Sequence, residues 1–151
     1  MVSVAWAWLV TVGVVAAAVS AGCPSSEWIL YDGYCYWRSP FTVQFEEGEH
    51  VCHTEFAGSH MVSIHHYPEN AFVFGDVMQD SPAWIGFERG SDSEPWRWSD
   101  GSADDWTIWC AGEPAGWGER LAFMHPNHRG CWTTTDANSF THVVCKIPEQ
   151  T

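Results

Sequence analysis

Six cysteines, Cys23, Cys35, Cys52, Cys110, Cys131 and Cys145, constrain this chain of 151 residues more than any other feature. All six lie behind an apolar run from Val2 to Ala21 that carries no charged side chain. The run is rich in Ala and Val and ends Val19-Ser20-Ala21 before Gly22, the small-residue pattern of a cleaved secretory signal peptide. It departs from that pattern in one respect, since the terminal amine is its only positive group. Residues 1–21 are therefore expected to be a signal peptide and residues 22–151 one exported, extracellular domain with no membrane span. An even cysteine count in a small exported domain implies disulfides, and six cysteines pair in too many ways for spacing to settle the connectivity. With no Cys-x-x-Cys pair, zinc is a poor alternative.

The formal net charge of −13 limits the partners. Phosphate backbones and anionic membranes call for a basic surface, so neither nucleic acid nor an anionic membrane is an expected partner. Cations, neutral ligands such as sugars, and basic partners remain, and much of the acidity serves solubility.

The order of local signals reads as α+β. Asp32-Gly33 is a strong turn pair between Trp28, Ile29 and Tyr34, Tyr36, which suit strands, so a hairpin clipped by Cys23–Cys35 is expected. Residues 40–58 read as a helix, with Thr42 as cap, Glu46, Glu47 and Glu49 early, Gly58 at the end, and Phe45, Cys52 and Phe56 on one face. Gly48 shares that face and permits close approach of a neighbour, at a cost of about 1 kcal/mol in helix propensity. A short strand is expected at Met61–Ile64, then a second helix opening at Pro68, then a buried strand Ala83–Phe87. Later strands are expected at Leu121–Met124, Cys131–Thr134 and Thr141–Lys146. Between them, Trp84 to Pro114 interleaves Trp84, Trp96, Trp98, Trp106 and Trp109 with Gly, Ser and Asp, the composition of structured loops held by aromatic plugs.

These pieces, in this order, resemble a C-type lectin-like domain. The segments CP…W…GYCYW, the Phe45/Cys52 helix, GSHMVSIHHYPENAFV, AWIGF, WRWSDGS, DDWTIW, GEP and FTHVVCK carry the resemblance over nearly all of residues 22–151. It implies a disulfide-stabilised double-loop α+β fold in which two helices flank small antiparallel sheets and a long loop carries the ligand site. It also implies Cys52–Cys145, and Cys23–Cys35 as the mark of the long form. Leu121 and Ala137 stand where the family's inner disulfide would be, which leaves Cys110 to pair with Cys131. Closing that loop is worth roughly 3 kcal/mol in the chain-entropy model.

In sugar-binding members of the family, five side chains hold a calcium ion that the sugar hydroxyls also coordinate. Here Glu113 and Pro114 match, and Glu119 matches a later ligand. Ala115 replaces an amide or carboxylate, and Thr133 and Thr134 follow Trp132 where Asn-Asp is expected; Asp136 is a candidate to compensate. Fewer charged oxygens mean weaker Ca²⁺ binding. The resemblance implies a glycan or glycoprotein ligand at Glu113, Glu119, Thr133 and Thr134, with Trp117 stacking on a sugar face and His125 and His128 near the ligand surface. The competing expectation is a calcium-independent lectin-like domain that binds a protein or mineral surface. Asp100, Asp104 and Asp105 read as a turn and solvated loop residues, with a structural calcium as the functional alternative. His50 and His53 lie one helical turn apart, a spacing open to a transition metal but more often simply exposed. Enzymatic motifs are absent, and Glu113 and Glu119 only superficially resemble a glycosidase pair, so no catalysis is expected.

Overall fold

The hairpin forms around its turn. In the computed structural model, which describes residues 22–151, strands β1 (Ile29–Tyr31) and β2 (Tyr34–Arg38) pair in register Tyr31↔Tyr34. Asp32 and Gly33 take φ of 48° and 77°, the positive values that a two-residue hairpin turn requires. Cys23–Cys35 clips the hairpin as expected. The expected signal peptide, residues 1–21, lies outside the described residues.

Helix α1 (Phe45–Glu55) starts later than its sequence pattern indicates. Thr42 does not cap it, because the neighbouring Val43 is drawn into a two-way backbone bridge with Thr141 (2.8 and 3.1 Å), a contact between distant parts of the chain. Gln44 becomes the cap residue, and Glu47 reaches back to accept its N–H at 3.1 Å. The face carrying Phe45, Gly48 and Cys52 is buried. At Gly48 a Cβ would come within 2.5 Å of Met61 Sδ, so glycine lets α1 settle directly on strand β3 (His60–Met61). Cys52–Cys145 then ties the helix to the last strand.

The strand expected over Met61–Ile64 is shorter because Val62 divides its bonds: its N–H donates to Val144 and its carbonyl accepts from Gly86. Helix α2 (Tyr67–Phe72) has a proline in its first turn and His66 as cap, whose Nδ1 accepts the Glu69 N–H at 3.1 Å. It continues as a π-helical turn, Val73–Val77, and the chain then reverses through Gln79 and Asp80, both at positive φ (52° and 61°).

The remaining strands are β4 (Ala83–Glu88), β5 (Arg97–Trp98), β6 (Leu121–Met124), β7 (Trp132–Thr135) and β8 (His142–Pro148). They order as β1-β2-β8-β4-β6-β7, with β3 on β8 and β5 on β4; the β4–β8 pair is parallel. Two apolar clusters result, one around Phe87, Trp98 and Trp132 and one around Trp84, Phe45 and Cys145. Phe87 lies 4.4–5.9 Å from the rings of Trp96, Trp98, Trp109 and Trp132, so most of the tryptophans pin the long loop to the sheet. Buried Leu121 and half-buried Ala137 pack in the second cluster, an apolar contact where the resemblance would place a disulfide. Among the described residues no helix is long and apolar enough to cross a membrane.

Candidate functional site

The long loop returns to the sheet through Cys110–Cys131, which joins the segment before Glu113 to the start of β7. Trp109 bridges Trp132 in parallel, with Cys110 N–H donating to Trp132 O at 2.9 Å and Trp132 N–H to Ile108 O at 2.8 Å. The Glu113-Pro114 peptide is cis. These constraints bring Glu113 and Glu119 onto one side chain of β7, Thr134. Its hydroxyl lies 2.6 Å from Glu113 Oε2 and 2.7 Å from Glu119 Oε2. A hydroxyl carries one hydrogen, so it donates to one carboxylate and faces the other acceptor to acceptor. Glu113 Oε2 also accepts N–H donors from Ala115 at 2.7 Å and Thr134 at 3.2 Å. Among the described residues no donor reaches Oε1 of either glutamate, and both side chains are half-buried rather than sealed.

The segment between the two glutamates rests on Arg89 and Asp92. Arg89 Nη2 donates to the carbonyl of Glu119 at 3.2 Å and pairs with Asp92 at 3.2 Å, while both Asp92 oxygens accept Gly118 N–H at 3.1 Å. Trp117 projects from this braced loop, 91% exposed, beside a shallow cavity of about 240 Å³ lined by Arg89, Asp92 and Pro114. Nothing in the local sequence SDSE marks Asp92 for this role, since its partners lie 3 and 26 residues away.

A family model described as "Lectin C-type domain" matches residues 42–147. The chain belongs to the C-type lectin family. Lectin BRA-3 of Megabalanus rosa is 30% identical over 145 residues, covering 92% of this chain and 89% of that protein. The crystal structure of the C-type lectin CEL-I from Cucumaria echinata superposes with a TM-score of 0.74 at 26% identity, over 85% of this chain and 99% of that one. A calcium-independent type II antifreeze protein shares the fold, with a TM-score of 0.77 at 21% identity over 89% and 100% of the two chains.

The lectin domain's donor set does not fit a tightly held calcium ion. Ca²⁺ takes six to eight oxygens, several of them charged. Here two carboxylates and one threonine hydroxyl, that of Thr134, converge, and Ala115 contributes an N–H in place of an oxygen ligand. That N–H and the Thr134 donors already occupy Glu113 Oε2, which leaves one donor-free oxygen, Oε1, on each carboxylate, far short of the six to eight that the ion takes. Among the described residues no group of three or more His, Cys, Asp and Glu side chains is placed to hold a metal.

The other expected site residues are more dispersed. Thr133 is buried with its hydroxyl unpartnered, next to the knot but outside its hydrogen bonds. Asp136 is exposed and accepts from its own neighbour, Asn138 N–H at 3.0 Å. His125 and His128 stack at 5.0 Å in the turn between β6 and β7, and His125 Nδ1 caps that turn by accepting Asn127 N–H. Since Ala122 is the partner of Thr134, His125 stands three residues further along, about 10 Å down the strand direction from the position opposite Thr134 at ~3.3 Å per residue. His53 contacts Ser59 O and packs on His60, while His50 is exposed.

The three loop aspartates have separate tasks. Burial pushes the Asp100 carboxyl up, but hydrogen bonds from Ser102 and Ser63 outweigh it and hold the group below the usual carboxylate range. Asp105, exposed, is lowered by its 2.8 Å contact with His65. Asp104 moves up through partial burial and the neighbouring Asp105 charge.

Proposed function

We propose that this lectin domain is a secreted, extracellular glycan-binding protein that grips sugar through the Glu113–Glu119 surface and Trp117, without a tightly bound calcium ion. The observation that supports this most is that Oε1 of both Glu113 and Glu119 is free of donors, while Trp117, in the loop between them, is 91% exposed. The two carboxylates accept from sugar hydroxyls by charge-assisted hydrogen bonds, while the indole covers the apolar face of the ring. Such a site combines apolar area with a few well-placed polar groups, as ligand sites generally do. The brace from Arg89 and Asp92 fixes the loop beforehand, which lowers the ordering cost of binding. No catalytic step is assigned, because the two carboxylates meet at one hydroxyl instead of flanking a substrate cleft.

A second reading, adhesion to a protein or mineral surface, draws on the net charge of −13. A glycan array run with calcium and with chelator separates the two. Glycan signal that survives chelation and falls by at least about tenfold in Trp117→Ala, with no loss of folding stability, is the expected outcome. Signal abolished by chelation restores calcium to the site, and blank arrays favour the adhesive reading.

A further inference from the structure

A second cavity, about 390 Å³ in volume, shares no residue with the long-loop site. It opens between the first hairpin and the chain reversal after α2, and Arg38, the last residue of β2, lines it. Of the six Lys and Arg side chains, Arg89, Arg97 and Lys146 are in ion pairs, while among the described residues Arg38, Arg120 and Arg129 are not. Arg38 differs from the other two unpaired cations in having guanidinium nitrogens that are buried and unpartnered. Its Nε and Nη1 are buried with no hydrogen-bond partner, and its Nη2 makes one long contact, 3.3 Å, to the neutral Gln79 Oε1. Gln79 is held there by two consecutive residues at positive φ, Gln79 and Asp80. A guanidinium shares its charge over all three nitrogens, so stripping water from two of them leaves a poorly compensated cation facing the cavity through the third.

The walls supply the rest of a ligand site. Ile29, Pro40 and Val77 form apolar surface, and Ser26 and Glu27 stand at the exposed mouth. The volume lies in the range of small-molecule sites. We propose that this cavity binds a small monocarboxylate with an apolar body: the carboxylate displaces Gln79 from the Arg38 edge, and the body packs on Ile29, Pro40 and Val77. Glu27 at the mouth disfavours ligands with a second negative charge.

The probe is benzoate, with benzyl alcohol as its neutral counterpart, titrated into isotopically labelled protein and followed by amide shifts. Benzoate is expected to give saturable shifts at Arg38, Gln79 and Ile29, and benzyl alcohol to bind at least ~10-fold more weakly. Glu27→Gln should tighten benzoate by ~2- to 5-fold through loss of repulsion, and Arg38→Gln should weaken it by more than ~10-fold. Ser26→Trp blocks the mouth without touching the guanidinium, and is expected to abolish the shifts even if the Arg38 variant fails to fold. The proposal is overturned by any of three results: no saturable shift in the wild type, equal binding of the neutral probe, or full benzoate binding in a folded Arg38→Gln or Ser26→Trp protein. Shifts confined to the Trp117 loop overturn it as well.

Discussion

Two carboxylate centres in this domain are built from similar atoms and do opposite things. Glu69 in α2 is 3% exposed; its Oε1 accepts Lys146 Nζ at 2.5 Å and Tyr36 Oη at 2.8 Å, and its Oε2 accepts His65 N–H at 2.9 Å. Each oxygen is satisfied and the charge is neutralised by the chain itself. Burial and the Glu69 charge both push the Tyr36 hydroxyl far up, so it stays a donor to that carboxylate. At the Glu113–Glu119 knot two carboxylates compete for one hydroxyl hydrogen; among the described residues no cation pairs with either, and each keeps an oxygen free. The difference separates two kinds of carboxylate in one fold: the one that holds the frame is fully paired, and the two at the long loop each keep an oxygen with no donor.

The sharpest way to break that comparison is to unpair the first centre. Lys146→Met leaves Glu69 buried without its counter-ion, and should cost about 3–5 kcal/mol of stability in denaturant unfolding. Glu119→Gln, which removes one of two converging charges, is expected to change stability by less than about 1 kcal/mol in the same assay. If both cost the same, the two centres are not different in kind.

Converting the second centre into a calcium cage sharpens the contrast from the other side. Ala115→Asn with Thr133→Asn and Thr134→Asp restores charged and carbonyl oxygens around Glu113 and Glu119. Calorimetry should then show Ca²⁺ affinity rising by roughly 100-fold or more over the native chain. A folded variant with no gain would mean that these residues do not face one site.

The covalent and turn-forming features of this architecture were legible from local residues, while the brace of the site was not. Asp32-Gly33 announces its hairpin because its backbone preference is local. The cysteine pairs follow from the family order of segments, and all three form. The helix start was misplaced because Val43 answers to Thr141, 98 residues away by numbering, and no local pattern encodes that bridge. Arg89 and Asp92 are invisible for the same reason, their role being created by a loop that returns from a distance. The meeting of Glu113 and Glu119 follows from the family order of segments, but the N–H groups of Ala115 and Thr134 on Glu113 depend on how the cis-proline loop folds back on β7, which no local pattern encodes.

The smallest expected effect concerns pH. Asp100 has its carboxyl lowered in the folded state, so it contributes stability that is fully present above the unfolded value of about 3.9 and is lost as pH falls through its lower folded value. Asp104, raised in the folded state, acts with the opposite sign: its contribution fades as pH rises through its folded value. Asp100→Asn should lower stability at neutral pH by about 1 kcal/mol and flatten the fall below about pH 4 in denaturant titrations. An unchanged acid limb would show that the Ser63 and Ser102 contacts do not control it.

The three disulfides differ in access, and that has a practical side. Cys52 and Cys145 are wholly buried, whereas Cys110 and Cys131 are both half-buried at the edge of the long loop. Thiolate attack follows access, so a mild reductant opens the loop bridge well before the one that joins helix to strand. The product keeps its sheet and its helices and passes for native in a backbone spectrum, yet its long loop has come unlatched. Ordinary handling in reducing buffer would therefore yield a sample that looks folded and has lost the fixed geometry around Glu113.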